Sequence, residues 1–439
     1  LIRERIVEAI YSHAKSISDR AVHRIPPSAP VPKAPVESRI DDVLTSRWLG
    51  LPVMLALLGG VFWITLVGAN YPSALLAKAL FQMESWLSVA LRAMHAPDWL
   101  RGAAVFGAYR TMAWVVSVML PPMAIFFPLF TLLEDLGYLA RVSFNVDWCF
   151  KKCGAHGKQS LTMAMGFGCN AAGVMACRIV DSPRERLVAI LTNNFAPCNG
   201  RFPTLIALAS LIAAKSLPAS LLVVAMVLLG VAAALGVSWA LSRTVLRGVP
   251  SSFILELPPY RMPQVAKVLM RSLYDRTFLV LKRAVIVAAP AGVVVWALAN
   301  LATPRGESAL ALIARMLQPA ANAMGLDGFI LTSFILGLPA NEIVLPILVM
   351  AYSSSTALTE TAGLASLERI LAANGWTWLT ALNTMTFSVL HFPCSTTLLT
   401  IAAETRSARW TAFAALMPTA VAIAACCATR AAARLLGLA

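Results

Sequence analysis

The stretch MAMGFGCNAAGVMACR (Met163–Arg178) places a thiol and a carboxamide, Cys169 and Asn170, beside Gly166 and Gly168 in the middle of an apolar run. Three further places resemble it. APCNGR carries Pro197, Cys198 and Arg201, LPANE carries Pro339, Asn341 and Glu342, and HFPCS carries Pro393 and Cys394. Thiolates and carboxylates are suitable ligands for a borderline divalent metal, and two thiolates cancel a dication's charge, which offsets part of its desolvation cost. Proline adds a second kind of donor. It lacks an N–H, so it strands the carbonyl four residues earlier in a helix. Pro197 would free the carbonyl of Asn193, Pro339 that of Ile335 and Pro393 that of Val389. A bare carbonyl in hydrocarbon survives only where protein, water or an ion meets it, so these oxygens are expected cation ligands beside the ends of half-helices. The alternative for any single proline is an ordinary kinked packing helix.

Acids inside the apolar runs point the same way. Glu134 and Asp135 end MAIFFPLFTLLED, and Glu342 follows Asn341. An ionisable group in a span is a functional candidate, although Glu134 and Asp135 could equally mark an interfacial helix end and Glu342 a structural pair with a base. His391 reads as a ligand or as a polar packing residue. Cys177, Cys426 and Cys427 read as small apolar side chains. Cys149, Cys153 and His156 offer three ligands at a loop, one short of a structural zinc site. GFGCNA matches a dinucleotide pattern without the strand it needs. GAHGKQS lacks the first glycine of a phosphate loop, and no HExxH or GxSxG occurs.

The elements that must hold these residues are membrane helices. Of 439 residues, 59% are hydrophobic and 13% charged, against about 25% charged in soluble domains. Eight stretches approach the ~20 residues that cross a bilayer: Trp48–Ala69, Met112–Leu133, Leu187–Ala213, Leu217–Leu241, Thr277–Leu301, Phe329–Tyr352, Trp376–Ala402 and Trp410–Ala428. The chain is therefore read as all-α, a polytopic helical membrane protein of about eight or more spans with paired interrupted helices. The net charge of +15 comes from basic residues outside the spans, which set topology and meet lipid headgroups rather than nucleic acid. The eight cysteines form no disulfide framework.

Residues 1–25 read as the end of a cytosolic helical region, and 26–47 as a Pro-rich linker with an interfacial helix. Residues 48–159 hold the first spans, with Leu75–Met94 expected as an interfacial or extramembrane helix because it keeps Lys78, Glu84 and Arg92. Residues 160–242 and 327–439 hold the interrupted helices, and 243–326 a basic cytosolic segment, a span and a short helix. An internal echo supports this division: Gly166-x-x-x-Asn170 matches Gly337-x-x-x-Asn341, and Pro197-Cys198 matches Pro393-Cys394. Such pairing marks the midplane site of a transporter.

LLEDLGYLARVSF, GFGCNAAGVMACR, NNFAPCNGRFPTLIAL and HFPCSTTLLTIAAETRSARWTA resemble the membrane part of the FeoB family of bacterial ferrous-iron transporters. SRIDDVLTSRWLGLPVML is similar to the segment joining that family's cytosolic part to its first span. The resemblance implies two Gate regions forming an Fe2+ path in the bacterial inner membrane, with a cytoplasmic N-terminus. It implies pathway roles for Cys169, Asn170, Cys198 with Arg201, Cys394, Glu134 and Asp135. It also implies partners: an N-terminal GTPase domain using GTP and Mg2+, small cytosolic proteins of the FeoA and FeoC kinds, and a homo-oligomer as an open question. The chain departs from the family at PCNGRFP and at PANEI, where many members carry a Lys-Glu pair. No phosphate loop occurs in this sequence, so it is not read as an enzyme, and its start at Leu1 is read as a later part of something longer. Rival readings are a transporter of an organic solute such as a nucleoside, an intramembrane thiol enzyme pairing Cys198 with His391, and a receptor or scaffold without flux.

Overall fold

In hydrocarbon every backbone polar group must be satisfied within the chain, so long apolar runs become helices and interruptions survive only where protein meets them. The computed structural model follows this rule. It describes residues 2–21, 44, 46, 49–154, 157–213, 219–248, 264–304, 306–353, 358 and 364–437. Residues 1–43 form one unit, containing the exposed helix α1 (Ile2–Ala21), and residues 44–439 form another.

In the larger unit, α2 (Gly50–Ala93) is a single helix of 44 residues, about 66 Å long at 1.5 Å per residue and about twice the hydrocarbon thickness. Leu75–Met94, expected as a separate helix, is thus largely the far half of the helix that holds the first span. There the carboxylate of Glu84 is buried against Arg110, at 3.1 Å from both Nε and Nη2. Next come α3 (Asp98–Asp135), α4 (Tyr138–Lys152), α5 (Lys158–Gly168), α6 (Asn170–Ala176), α7 (Pro183–Thr192), α8 (Phe202–Ala213) and α9 (Ala219–Arg243). The second half holds α10 (Leu279–Asn300), α11 (Ala309–Ala323), α12 (Gly328–Leu336), α13 (Val344–Tyr352), α14 (Leu364–Ala373), α15 (Trp378–Leu390), α16 (Ser395–Thr405) and α17 (Ala408–Leu435).

Among the described residues six helices are long and apolar enough to cross a membrane, or seven if α11 and α12, bent by 109°, count as one span. Three of the eight expected stretches are not continuous helices. Leu187–Ala213 is divided between α7 and α8, Phe329–Tyr352 between α12 and α13, and Trp376–Ala402 between α15 and α16.

The breaks make two hairpins that open at opposite ends. In the first, α6 folds back along α5, so closely that a Cβ on Gly173 would lie 2.8 Å from the carbonyl of Thr162. Lys158, which begins α5, bonds Asp181 beyond α6 at 2.7 Å, so entry and exit share one end. In the second, the Tyr352 hydroxyl at the end of α13 donates to the carboxylate of Asp327, which caps the start of α12. Trp376, just before α15, donates to the same hydroxyl at 2.8 Å. From that end α15 and α16 cross to the other, where Glu404 in the last turn of α16 pairs with Arg178 at 2.6 Å. The order of elements from α3 to α9 therefore recurs, inverted, from α10 to α17, with α14 as an added helix ahead of α15. The two leading helices, α3 and α10, cross on small residues: a Cβ on Gly107 would meet the Gly292 carbonyl at 3.2 Å.

Candidate functional site

The sequence echo has a backbone counterpart. Cys169, between α5 and α6, is extended at φ −155°, ψ 123°, and Ala340, ahead of the helical turn Asn341–Ile343, at φ −154°, ψ 126°. Cys198 and Cys394 form the second matched pair, at φ −74°, ψ 165° and φ −62°, ψ 159°. Each of the four starts a helical segment, so its side chain stands at a helix N-terminus, where unpaired amides stabilise negative charge.

These four breaks meet around one cavity of about 30 Å³, ion- or water-sized. Its wall includes Cys169, Asn170, Cys198, Asn341, Glu342 and Cys394, together with Gly168 and Pro339. The Asn341 amide nitrogen lies 3.9 Å from the Cys198 sulfur. Its oxygen is buried with no hydrogen-bond partner among the described residues. Cys394 Sγ lies 3.2 Å from the Thr397 hydroxyl. Among the described residues no three His, Cys, Asp or Glu side chains are already gathered as a metal cluster.

Sequence reasoning did not single out four contributors. Met119 and Met123 of α3 add thioethers, and Thr397 a hydroxyl. Gly200 gives room to the Glu342 carboxylate, which occupies the place a Cβ would take. The Pro121-Pro122 step between the two methionines was the available signal for α3. Gly200 had none, because its partner is 142 positions away in the numbering.

The expectation that proline-freed carbonyls face a cation is corrected. The Asn193 carbonyl accepts from the Ala196 amide at 3.2 Å, and the Ile335 carbonyl from the Leu338 amide at 3.2 Å. The Val389 carbonyl accepts from Arg201 Nη1 at 2.8 Å. A tighter turn or a buried guanidinium meets each oxygen, as burial demands.

Arg201 is buried and does not line the cavity. It donates to the Asn194 carbonyl at 2.9 Å and to Asn194 Oδ1 at 3.1 Å, while Asn194 Nδ2 donates to the His391 carbonyl at 2.7 Å. Arg201 thus clasps the Pro197 break of the first repeat to the Pro393 break of the second. Asn193 also sits behind the cavity. Its Nδ2 donates to the Asn170 carbonyl at 3.0 Å, and its amide fills space left by Gly166 and Gly173. The Asn170 amide lies 3.0 Å from the carbonyls of Gly166 and Ala196, which places its nitrogen on that side. His391 is packed among Phe334, Phe387 and Phe392, with Nδ1 2.9 Å from the Phe387 and Ser388 carbonyls. Its ring does not line the cavity with Cys198. Glu134 and Asp135 are exposed at the end of α3; Glu134 lines a second cavity and neither reaches the first. The Cys149 side chain and His156 lie outside the described residues.

A family model described as Gate, nucleoside recognition, matches residues 116–212 and 281–408, one segment in each repeat. A model described as the ferrous iron transport protein B C terminus matches residues 223–275. The Fe(2+) transporter FeoB of Staphylococcus aureus strain MSSA476 is 28% identical over 390 residues, covering 87% of this chain and 57% of that protein. The Fe(2+) transporter FeoB of Methanocaldococcus jannaschii is 26% identical over 389 residues, 85% of this chain and 55% of its own length. A Porphyromonas gingivalis Fe(2+) transport protein A/Fe(2+) transporter FeoB fusion protein is 25% identical over 422 residues, 85% and 49% of the two chains. The chain thus spans about half the length of the curated relatives it matches. No solved structure matches it.

Proposed function

The chain belongs to the FeoB family, as a membrane domain with two Gate regions, and on that premise we propose that it passes Fe2+ across the cytoplasmic membrane through the cavity between its four helix breaks. One observation carries the reading: three thiols, a carboxylate and an unpartnered carboxamide oxygen line a single ion-sized space. Metal entry releases thiol protons, and the thiolates formed face free amides at helix N-termini. Glu342 and the Asn341 oxygen supply harder ligands beside the soft sulfurs. Conduction needs binding weak enough for release, and such a mixed set gives this better than a cage of four thiolates.

The end bearing Lys151, Lys152, Arg178, Arg184, Arg186, Arg243, Arg406 and Arg409 is the cytoplasmic end by the positive-inside rule. Flow toward it is uptake. A GTPase domain, in the same polypeptide or a separate one, would gate that flow, and FeoA- or FeoC-like proteins would act through it. Solute transport is the weaker reading. The Gate model's description mentions nucleosides, yet sites for organic ligands run to about 300–1,000 Å³, against about 30 Å³ here.

The test is anaerobic Fe2+ entry into liposomes carrying the chain, with and without its GTPase half. Wild type should load iron and the Cys169→Ser/Cys198→Ser variant should not. Normal entry in the double variant would end the proposal.

A further inference from the structure

One face of α3 carries Met119, Met123, Phe126, Phe130 and Glu134, at helical spacings of four, three, four and four. Met119 and Met123 line the thiol cavity. Phe130 and Glu134 line a larger one, about 260 Å³, whose other walls include Met165 of α5 with Met175 and Ala176 from the α6 side of the hairpin. Beside the thiol cavity a crevice lined by Thr65, Pro122, Met123, Phe126, Gly168 and Asn199 leaves no room for a water-sized sphere. Phe126 lies on α3 between Met123 of the first cavity and Phe130 of the second. The ring lies where a Cβ on Gly168 would be and stacks on Phe130, with centroids 5.6 Å apart. From Met123 to Glu134 the helix rises about 16 Å, so the stripe runs from the thiol cavity to the end of the molecule that bears Arg178 and Asp181.

We propose that the larger cavity is a second cation station, with Glu134 and the thioethers of Met165 and Met175 as its donors, and that the Phe126 ring on Gly168 is the barrier between it and the thiol cavity. This deepens the proposal that the thiol cavity handles the cation, and rests on it. The donor set suits a borderline divalent ion still carrying water: one carboxylate for charge and two soft sulfurs, in a space much larger than the first. An apolar constriction excludes water, and with it a hydrated ion, until the ring moves. Gly168 permits that closure, because any larger residue would hold the ring off its seat.

The barrier can be read without iron. A charged methanethiosulfonate applied to the chain in nanodiscs labels Cys169 only if a water path reaches the thiol cavity, and peptide mass spectrometry reports that cysteine alone. Phe126→Ala should raise the Cys169 labelling rate on the order of tenfold. Gly168→Ala, which displaces the ring without deleting it, should do the same. Adding Ala176→Trp, which fills the second cavity, should cancel the gain. Unchanged labelling in both folded single variants, or a gain indifferent to Ala176→Trp, would overturn the route. Phe126→Leu stands in if the alanine variant does not fold. Glu134→Gln should lower Fe2+ entry several-fold with no change in Cys169 labelling, and unaltered entry would remove Glu134 as a station. The two proposals separate cleanly. Iron entry that needs the thiols but labelling that ignores Phe126 overturns the route alone. Labelling that follows Phe126 while iron entry ignores the thiols overturns the cation's use of both cavities.

Discussion

Arg201→Met tests how the two repeats are held together. The guanidinium makes three bonds of 3.1 Å or less, to the carbonyls of Asn194 and Val389 and to Asn194 Oδ1, and two longer ones, to the carbonyls of His391 at 3.5 Å and Phe392 at 3.4 Å. The Val389 oxygen is the one Pro393 leaves without a helical donor. Hydrogen bonds to charged groups contribute about 1.5–3 kcal/mol each, and a buried polar group left unsatisfied costs about 1–3 kcal/mol. Methionine fills similar volume but meets none of these acceptors. After partial relaxation the expected loss is about 3–5 kcal/mol, at the upper end for a single substitution. Arg201→Lys keeps the charge and can reach one or two of the oxygens, so about half that loss is expected. The assay is thermal denaturation of the purified chain in detergent, alongside Fe2+ entry in liposomes. Both variants should melt earlier, methionine more than lysine. Should Arg201→Met melt with wild type and carry iron normally, the clasp is not what joins the breaks.

Gly200→Ala puts a methyl group where the Glu342 carboxylate now lies, so the carboxylate must leave its place; iron entry should fall on the order of tenfold, from 1–2 kcal/mol of lost ligation, while the melting temperature changes little. Gly173→Val drives two methyl groups into Asn193 and the Thr162 carbonyl; overpacking of this kind costs about 1–3 kcal/mol, and early melting with faster amide exchange in Lys158–Ala176 would register it. Because protons compete with the cation for the thiols, Fe2+ entry through the cavity should fall as pH drops from about 7.5 to 6. A flat profile in that interval, with the driving gradients clamped, would argue against thiolate ligation.

The helix breaks were legible where a local rule governs the backbone. Gly, Pro and Cys at the four breaks announced interrupted helices, and the Gly-x-x-x-Asn and Pro-Cys echoes became matched dihedral angles at Cys169 with Ala340 and at Cys198 with Cys394. What proline does locally was also readable, since it frees a carbonyl. Which group meets that carbonyl was not. Arg201 reaches Val389 across 188 positions, and no periodicity encodes such a pairing. The same holds for Gly200 beneath Glu342 and Gly168 beneath Phe126, where a missing side chain matters only through a distant one that fills its place. The continuity of α2 was hidden for another reason. Lys78, Glu84 and Arg92 change the polarity of a helix without ending it, because Glu84 finds Arg110.

Iron X-ray absorption on the anaerobically Fe2+-loaded chain reads the inner ligands of the bound ion and so addresses the cavity directly. Sulfur scatterers should appear in wild type and diminish in turn with Cys169→Ser, Cys198→Ser and Cys394→Ser. An all-oxygen and nitrogen shell, unchanged by the three substitutions, would contradict the assignment of the thiol cavity as the place where the cation is held.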